Sequence, residues 1–143
     1  MTRISDVMST GLVTIGRSTT VREAAGLMVR HGVGALLVME GSPLVGIFTE
    51  RDISRAVMRD VADLGRSSPV ARWMTPHPMT AFPQMTAEAA LELMEVHGFR
   101  HLPVTSGDQV MGIVSMRDLV IAGSLEHAEP KLVSPDTSIQ RAE

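Results

Sequence analysis

The chain has no cysteine, no tyrosine, one tryptophan and three phenylalanines. Without cysteine there can be no disulfides and no thiolate metal ligands, which fits a reducing compartment. With aromatics at 3%, the core must be filled by the 11 methionines and by valine, leucine and alanine. Long apolar runs are also missing. None approaches the roughly 20 residues that cross a bilayer. The opening residues, Met1-Thr2-Arg3-Ile4-Ser5-Asp6, lack the apolar segment of a secretion signal. A cytoplasmic location without membrane contact is therefore expected. An excess of positive charge is absent too. The formal net charge is −3 with no basic stripe, which makes nucleic acid an unexpected partner. His77, His101 and His127 are not spaced as HxxxH or HExxH, so no metal site is expected. No Ser, His and carboxylate grouping supplies a nucleophile with its base, so no catalytic residues are expected and the chain reads as a non-enzyme.

What the chain does contain is a repeat. The stretch Gly46-Ile47-Phe48-Thr49-Glu50-Arg51-Asp52 returns 66 residues later as Gly112-Ile113-Val114-Ser115-Met116-Arg117-Asp118. The same offset superposes Met8 on Met74, Thr14 on Thr80, Thr20 on Thr86 and Ala24 on Ala90. It superposes Leu27-Met28 on Leu93-Met94, His31-Gly32 on His97-Gly98, Leu36 on Leu102, Val38 on Val104 and Gly41 on Gly107. Over residues 8–53 this gives about 15 identities without a gap, where unrelated sequence would give about three. With 143 residues, 44% hydrophobic and 20% charged, the chain has the size and composition of one soluble domain. A unit this short seldom buries its own apolar face, so the two copies are expected to share a domain.

Each copy reads as β-α-β-β-α, an α/β (α+β) arrangement. In the first, Val13-Thr14-Ile15 is extended. Thr20 and Glu23 form a capping-box pattern, and the helix Val21 to His31 carries Val21, Ala24, Ala25 and Met28 on one face. Gly32 stops it. Strands follow at 34–39 and 44–48 around the turn Glu40-Gly41-Ser42-Pro43, and a second helix runs from Glu50 to about Asp60. The second copy has a helix at 87–97, strands near 100–105 and 110–114, and a last helix to about Ala122. The expected division is repeat 1 at 1–60, a linker at 61–72 around Gly65-Arg66-Ser67-Ser68-Pro69, repeat 2 at 73–122 and a polar tail at 123–143. Trp73 is expected to anchor the linker on the core.

Thr49 and Ser115 sit where a strand ends and a helix begins. Backbone N–H groups there are unpaired and the helix dipole is locally positive, which favours anions. The two hydroxyls can bond a phosphate oxygen or a sugar hydroxyl. Asp52 and Asp118, three residues on, can each accept two hydrogen bonds from a vicinal diol such as that of ribose. Arg51 and Arg117 can neutralise phosphate. A ribonucleotide suits this set. The same Thr-x-x-Asp and Ser-x-x-Asp spacing is also a capping-box pattern, which needs no ligand at all.

The two Gly-x-x-Thr/Ser-x-x-Asp motifs, the stretch Arg100-His101-Leu102-Pro103-Val104 and the β-α-β-β-α order resemble a tandem pair of CBS (cystathionine-β-synthase) domains, a Bateman module, over about 120 residues, from Val7 to Ala122. The resemblance implies two repeats packed through their sheets with pseudo-twofold symmetry and two clefts between them. Such clefts bind AMP, ADP, ATP, NAD(H) or S-adenosylmethionine. The motif aspartate grips ribose, the Thr/Ser holds ribose or phosphate, and backbone near the first strand contacts adenine, here near Thr14-Ile15 and Thr80-Ala81, with Ile113 beside the second motif. Two pairs commonly form a flat homodimer. The implied role is a regulatory ligand sensor acting on a separate effector protein. A ligand-free oligomerisation module and a small nucleotide hydrolase are the alternatives. Repeat 2 has Arg100-His101 where repeat 1 has Gly34-Ala35. In the family this strand start borders the cleft and carries phosphate ligands, so the Asp118 cleft is expected to bind phosphate better.

Overall fold

The computed structural model describes residues 1–127. A short helix α1 (Ile4–Val7) precedes the first repeat, which comprises β1 (Thr14–Ile15), α2 (Val21–His31), β2 (Ala35–Met39), β3 (Leu44–Thr49) and α3 (Glu50–Arg59). A 3-10 turn (Val70–Arg72) leads to β4 (Thr75–Pro76), α4 (Ala87–His97), β5 (His101–Ser106), β6 (Gln109–Ser115) and α5 (Met116–His127). Helix α2 starts where Thr20 Oγ1 accepts the Glu23 N–H at 3.1 Å and Glu23 accepts the Thr20 N–H at 2.9 Å, the reciprocal cap that the spacing predicts. Both α2 and α4 end on a left-handed glycine, Gly32 at φ +65° and Gly98 at φ +77°, a conformation that a Cβ penalises. Helix α5 departs from expectation. It runs through Gly123 to His127, because one glycine costs a helix only about 1 kcal/mol. The expected tail from 128 onward lies outside the described residues.

Strands β1, β2, β3 and β4 form one sheet in that order, with β1 parallel to β2 and the other pairs antiparallel. Strands β5 and β6 form a second, antiparallel pair. It is extended by single bridges, Ala81–Val104 on one edge and Ser9–Ile113 on the other. These bridges are the first sheet's pairings Ile15–Val38 and Thr75–Ile47 shifted by the repeat offset.

The segments that precede the two repeats are exchanged. Residues before repeat 1 pack on repeat 2, and residues before repeat 2 pack on repeat 1. The hydrogen bonds show it in matched pairs. Ile4 N donates to Met85 O at 2.8 Å as Val70 N donates to Thr19 O at 2.8 Å. Ala87 N donates to Thr2 O and Val21 N to Ser68 O, both at 2.9 Å. The cores follow. Val70, Trp73 and Met74 join Ile15, Leu36, Val38 and Phe48, while Ile4 joins Ala81, Met94, Leu102 and Val114. Trp73 thus anchors the inter-repeat segment, its indole N–H bonded to Ser68 Oγ at 2.9 Å. A third cluster of Ala35, Leu37 and Ile47 against Val110 and Ile113 joins the two sheets face to face.

The exchange explains the glycine that opens each motif. A Cβ at Gly46 would lie 2.5 Å from Met74 Sδ, and one at Gly112 would lie 2.7 Å from the Ser9 carbonyl oxygen. Both glycines let the exchanged segment cross the sheet. Met74 can swing aside, whereas the Ser9 carbonyl is held by the Ile113 N–H at 3.0 Å. Gly112→Ala is therefore expected to destabilise by about 1–3 kcal/mol and Gly46→Ala by less. Urea midpoints for the two variants check this, and equal midpoints would contradict the difference.

Candidate functional site

Two cavities open along the seam between the repeats, one of about 550 Å³ and one of about 360 Å³. Both fall within the roughly 300–1,000 Å³ of small-molecule sites. The first is built from the β3–α3 corner (Ile47, Thr49, Glu50, Arg51, Asp52, Arg55), the stretch from Thr75 to Met79, and the α4–β5 corner (His97, Phe99, Arg100, His101). The second is built from the β6–α5 corner (Ile113, Ser115, Arg117, Asp118), the stretch from Ser9 to Val13, and the α2–β2 corner (Gly32, Val33, Gly34, Ala35). Each cleft thus takes its Thr/Ser-x-x-Asp corner from one repeat and the facing corner from the other. Gly34, Glu50 and His101 line both cavities and form the partition between them.

This cross-pairing corrects the placement of the basic pair. Arg100 lines the Asp52 cleft and not the Asp118 cleft, while His101 reaches both. The premise for a more phosphate-prone Asp118 cleft therefore fails. Sequence offers Arg100 and Asp118 in one repeat, but pseudo-twofold packing carries each strand start across to the partner motif. The structure brings Thr49, Arg51, Asp52, Arg100 and His101 together in the first cleft, and Ile113, Ser115, Arg117, Asp118 and His101 in the second. Thr14, Ile15, Thr80 and Ala81 line neither. Ile15 and Ala81 face the two cores, and Thr14 and Thr80 are exposed. The residues that take that place are Thr75 to Met79 and Ser9 to Val13. They begin one residue after Met74 and Met8, the first identity of the repeat, and that register was the available signal.

The two aspartates differ. Asp52 is 4% exposed. Its Oδ2 accepts the Thr49 N–H at 2.9 Å, and its Oδ1 accepts from Arg55 at 2.9 Å. Arg55 also bonds the Trp73 carbonyl at 3.2 Å. Burial pushes the Asp52 carboxyl up from the usual carboxylate range, against the smaller downward pull of the Thr49 N–H and the Arg55 charge. Asp52 is thus part of a helix cap and a partner of Arg55, and the capping alternative holds for it. Oδ2 also accepts from the Thr49 hydroxyl at 3.4 Å, so Oδ1 is the oxygen that keeps a lone pair for a further donor. Asp118 is exposed, and the position of Arg55 is taken by Ile121. Ser115 Oγ accepts the Asp118 N–H at 3.1 Å, and among the described residues the Asp118 carboxylate has no hydrogen-bond or ion-pair partner. Arg51 donates to the Gly98 carbonyl at 3.0 Å, tying α3 of one repeat to the end of α4 of the other.

His101 sits in the partition. Burial lowers its pKa from the ordinary 6.5, opposed by the carboxylates of Glu50 and Asp118 and assisted by Arg100. A lowered folded value means that stability is present above the unfolded value and is lost as pH falls through the folded one. His101→Gln is accordingly expected to flatten the fall in melting temperature on acidification below about pH 6.5. Parallel melting curves of variant and wild type across that range would contradict this. His97 lies four residues before His101 and stacks on Phe99 with ring centroids 5.9 Å apart. Gly98 ends the helix between the two histidines, so they do not share a helical face. Among the described residues no group of three or more His, Cys, Asp or Glu could hold a metal, and no helix is long and apolar enough to cross a membrane.

Comparison with known proteins agrees with this architecture. The family model for the CBS domain matches residues 4–59 and 70–125. The chain is 37% identical over 123 residues to the CBS domain-containing protein YhcV of Bacillus subtilis, covering 85% of each. The crystal structure of the CBS-domain containing protein ATU1752 from Agrobacterium tumefaciens is 32% identical, covers 85% of this chain and 99% of its own, and superposes with a TM-score of 0.81. The CBS domain pair of protein MJ0100, in complex with 5′-methylthioadenosine and S-adenosyl-L-methionine, is 25% identical with a TM-score of 0.75, covering 85% of this chain and 99% of that one. With both repeats matched and the paired clefts in place, the chain belongs to the CBS-domain family as a tandem pair of CBS domains.

Proposed function

We propose that the protein is a regulatory module that holds adenosine-type ligands, AMP, ADP or ATP among them, in the clefts between its repeats and reports occupancy to a partner protein. The observation that carries this is the composite build of each cleft. A diol-accepting aspartate and a helix N-terminus from one repeat face a strand start of the other across a cavity of ligand size. The MJ0100 pair supports adenosine derivatives as the ligand class. Purine would lie against Ile47, Pro78, Met79 and Phe99 in the first cleft. The ribose hydroxyls would donate to Asp52, and phosphate would compete with Gly98 O for Arg51. That competition loosens a bond between repeats, so binding would favour a different relative arrangement of the two. The clefts serve binding rather than catalysis in this reading.

A panel of adenine nucleotides in thermal unfolding tests it. A ligand at about 100 times its Kd stabilises by about 2.7 kcal/mol, and a rise in melting temperature without turnover is the expected result. No shift with any ligand would favour an oligomerisation module, and product formation would favour a hydrolase.

The same reading includes a homodimer of pairs. Its support is apolar side chains left in solvent on or just after the outer helices, Val57 and Met58 on α3, Val61 beyond it, and Val120 and Ile121 on α5. Sedimentation velocity is expected to give a dimer for the wild type and a shift toward monomer for Met58→Glu. A monomeric wild type would contradict it.

A further inference from the structure

We infer that the two clefts are sorted by charge, the Asp52 cleft taking a nucleoside polyphosphate and the Asp118 cleft a nucleoside with an uncharged or cationic 5′ group. This rests on the proposed adenosine-type ligand. Each cleft receives the N-terminus of a repeat helix and a Thr/Ser-x-x-Asp corner, so those features cancel in the comparison. What differs is the remaining lining. The first cleft has Arg51, Arg55 and Arg100 against the carboxylates of Glu50 and Asp52, a formal charge of +1, with His77 and His97 beside them. The second has Arg117 against Glu50 and Asp118, a formal charge of −1. His101 and Glu50 belong to both and cannot discriminate.

Geometry adds to charge. The first cavity is the larger, about 550 Å³ against about 360 Å³, and has the room that extra phosphates need. Two of its arginines already have partners, Arg51 on Gly98 O and Arg55 on Asp52. Arg100 is exposed, and among the described residues its guanidinium has no partner. It is the cation free to take a terminal phosphate. Its counterpart by the repeat offset is Gly34, which supplies no charge. A Cβ there would lie 2.8 Å from Glu50 Oε1, so the corner that carries a guanidinium in the first cleft has no room for a side chain in the second. The second cleft is otherwise walled by aliphatic groups, Leu12, Val13, Val33 and Leu37. A polyphosphate there would face two carboxylates across one arginine.

Calorimetric titration with ATP and with adenosine, on wild type, Arg100→Glu and Arg117→Glu, tests this. Arg100 and Arg117 are both exposed, so both variants are expected to fold. Arg100→Glu should weaken ATP by about tenfold or more and leave adenosine unchanged. Arg117→Glu should leave ATP unchanged, and ATP affinity in the wild type should fall with added salt. If Arg117→Glu weakens ATP while Arg100→Glu does not, or if both weaken it equally, the sorting is overturned with the adenosine reading intact. If neither ATP nor adenosine binds the wild type, the reading itself fails and the sorting with it.

Discussion

Replacing Ile4 by alanine is expected to destabilise the whole protein by about 2–5 kcal/mol, although Ile4 stands before the first repeat. The side chain is fully buried, and its neighbours are Ala81, Ala90, Met94, Leu102 and Val114 of the second repeat. Its backbone N–H is held by Met85 O and its carbonyl by Met8 N, at 2.8 and 2.9 Å. The cavity left by truncation would be lined by close-packed groups from a helix, two strands and the exchanged segment, which cannot all relax toward it. Val70→Ala removes the equivalent side chain from the first core and should cost about 1–3 kcal/mol less the relaxation of its smaller cavity. Val29→Ala is the control. Val29 is 84% exposed on α2, and its loss should lie within about 0.5 kcal/mol of zero. Because each core borrows from the segment before the other repeat, both core variants should shift one common urea transition. Two separated transitions, or an unchanged midpoint for Ile4→Ala, would show that the exchange does not bind the repeats into one cooperative unit.

That exchange marks the boundary of what the sequence discloses. Elements set by local chemistry are legible. The Thr20–Glu23 box, the stops at Gly32 and Gly98, and the turns at Gly41 and Gly107 each follow from residue type and spacing, and the structure has them. The repeat is legible because it is an identity pattern. Which half of one repeat touches which half of the other is not. It depends on apolar surfaces matching across sheets, and Ala35, Leu37 and Ile47 look the same in sequence whether they face their own helix or Val110 and Ile113. The motif residues Thr49, Asp52, Ser115 and Asp118 are therefore legible as strand-to-helix corners, while the residues that face them across each cavity are not. The repeat puts Arg100 and Asp118 together, whereas Arg100 lines the Asp52 cavity, and Thr14 and Thr80 line neither cavity while the stretches starting at Ser9 and Thr75 do. The role of Arg55 is not legible for a related reason. Its role comes from Asp52 being buried, and burial is a property of the packed pair rather than of the motif.

The burial difference makes the two aspartates separable by experiment. Asp118→Ala should weaken the ligand of its own cleft by about 10–100-fold, the loss of a charged acceptor for ribose hydroxyls, and leave thermal stability almost unchanged. The carboxylate is exposed, and among the described residues it has no hydrogen-bond or ion-pair partner. Asp52→Ala should weaken its own ligand as strongly and also lower stability. It removes an acceptor for the Thr49 N–H and the partner of Arg55. Two effects moderate that loss. The Arg55 side chain is 44% exposed and rehydrates when its partner goes. The Asp52 carboxyl is raised by burial, so its charge is a cost to the fold near neutral pH that alanine removes. A raised folded pKa gives stability that is present below the unfolded value and lost as pH rises through the folded one. The remaining deficit is the helix cap, about 1 kcal/mol. Asp52→Ala should therefore melt below wild type at neutral pH, with part of the gap set by the lost cap alone. Titration and melting of both variants side by side decide the matter. If Asp118→Ala melts as low as Asp52→Ala, or if either variant binds both ligands as the wild type does, the assignment of a separate aspartate to each cleft is wrong.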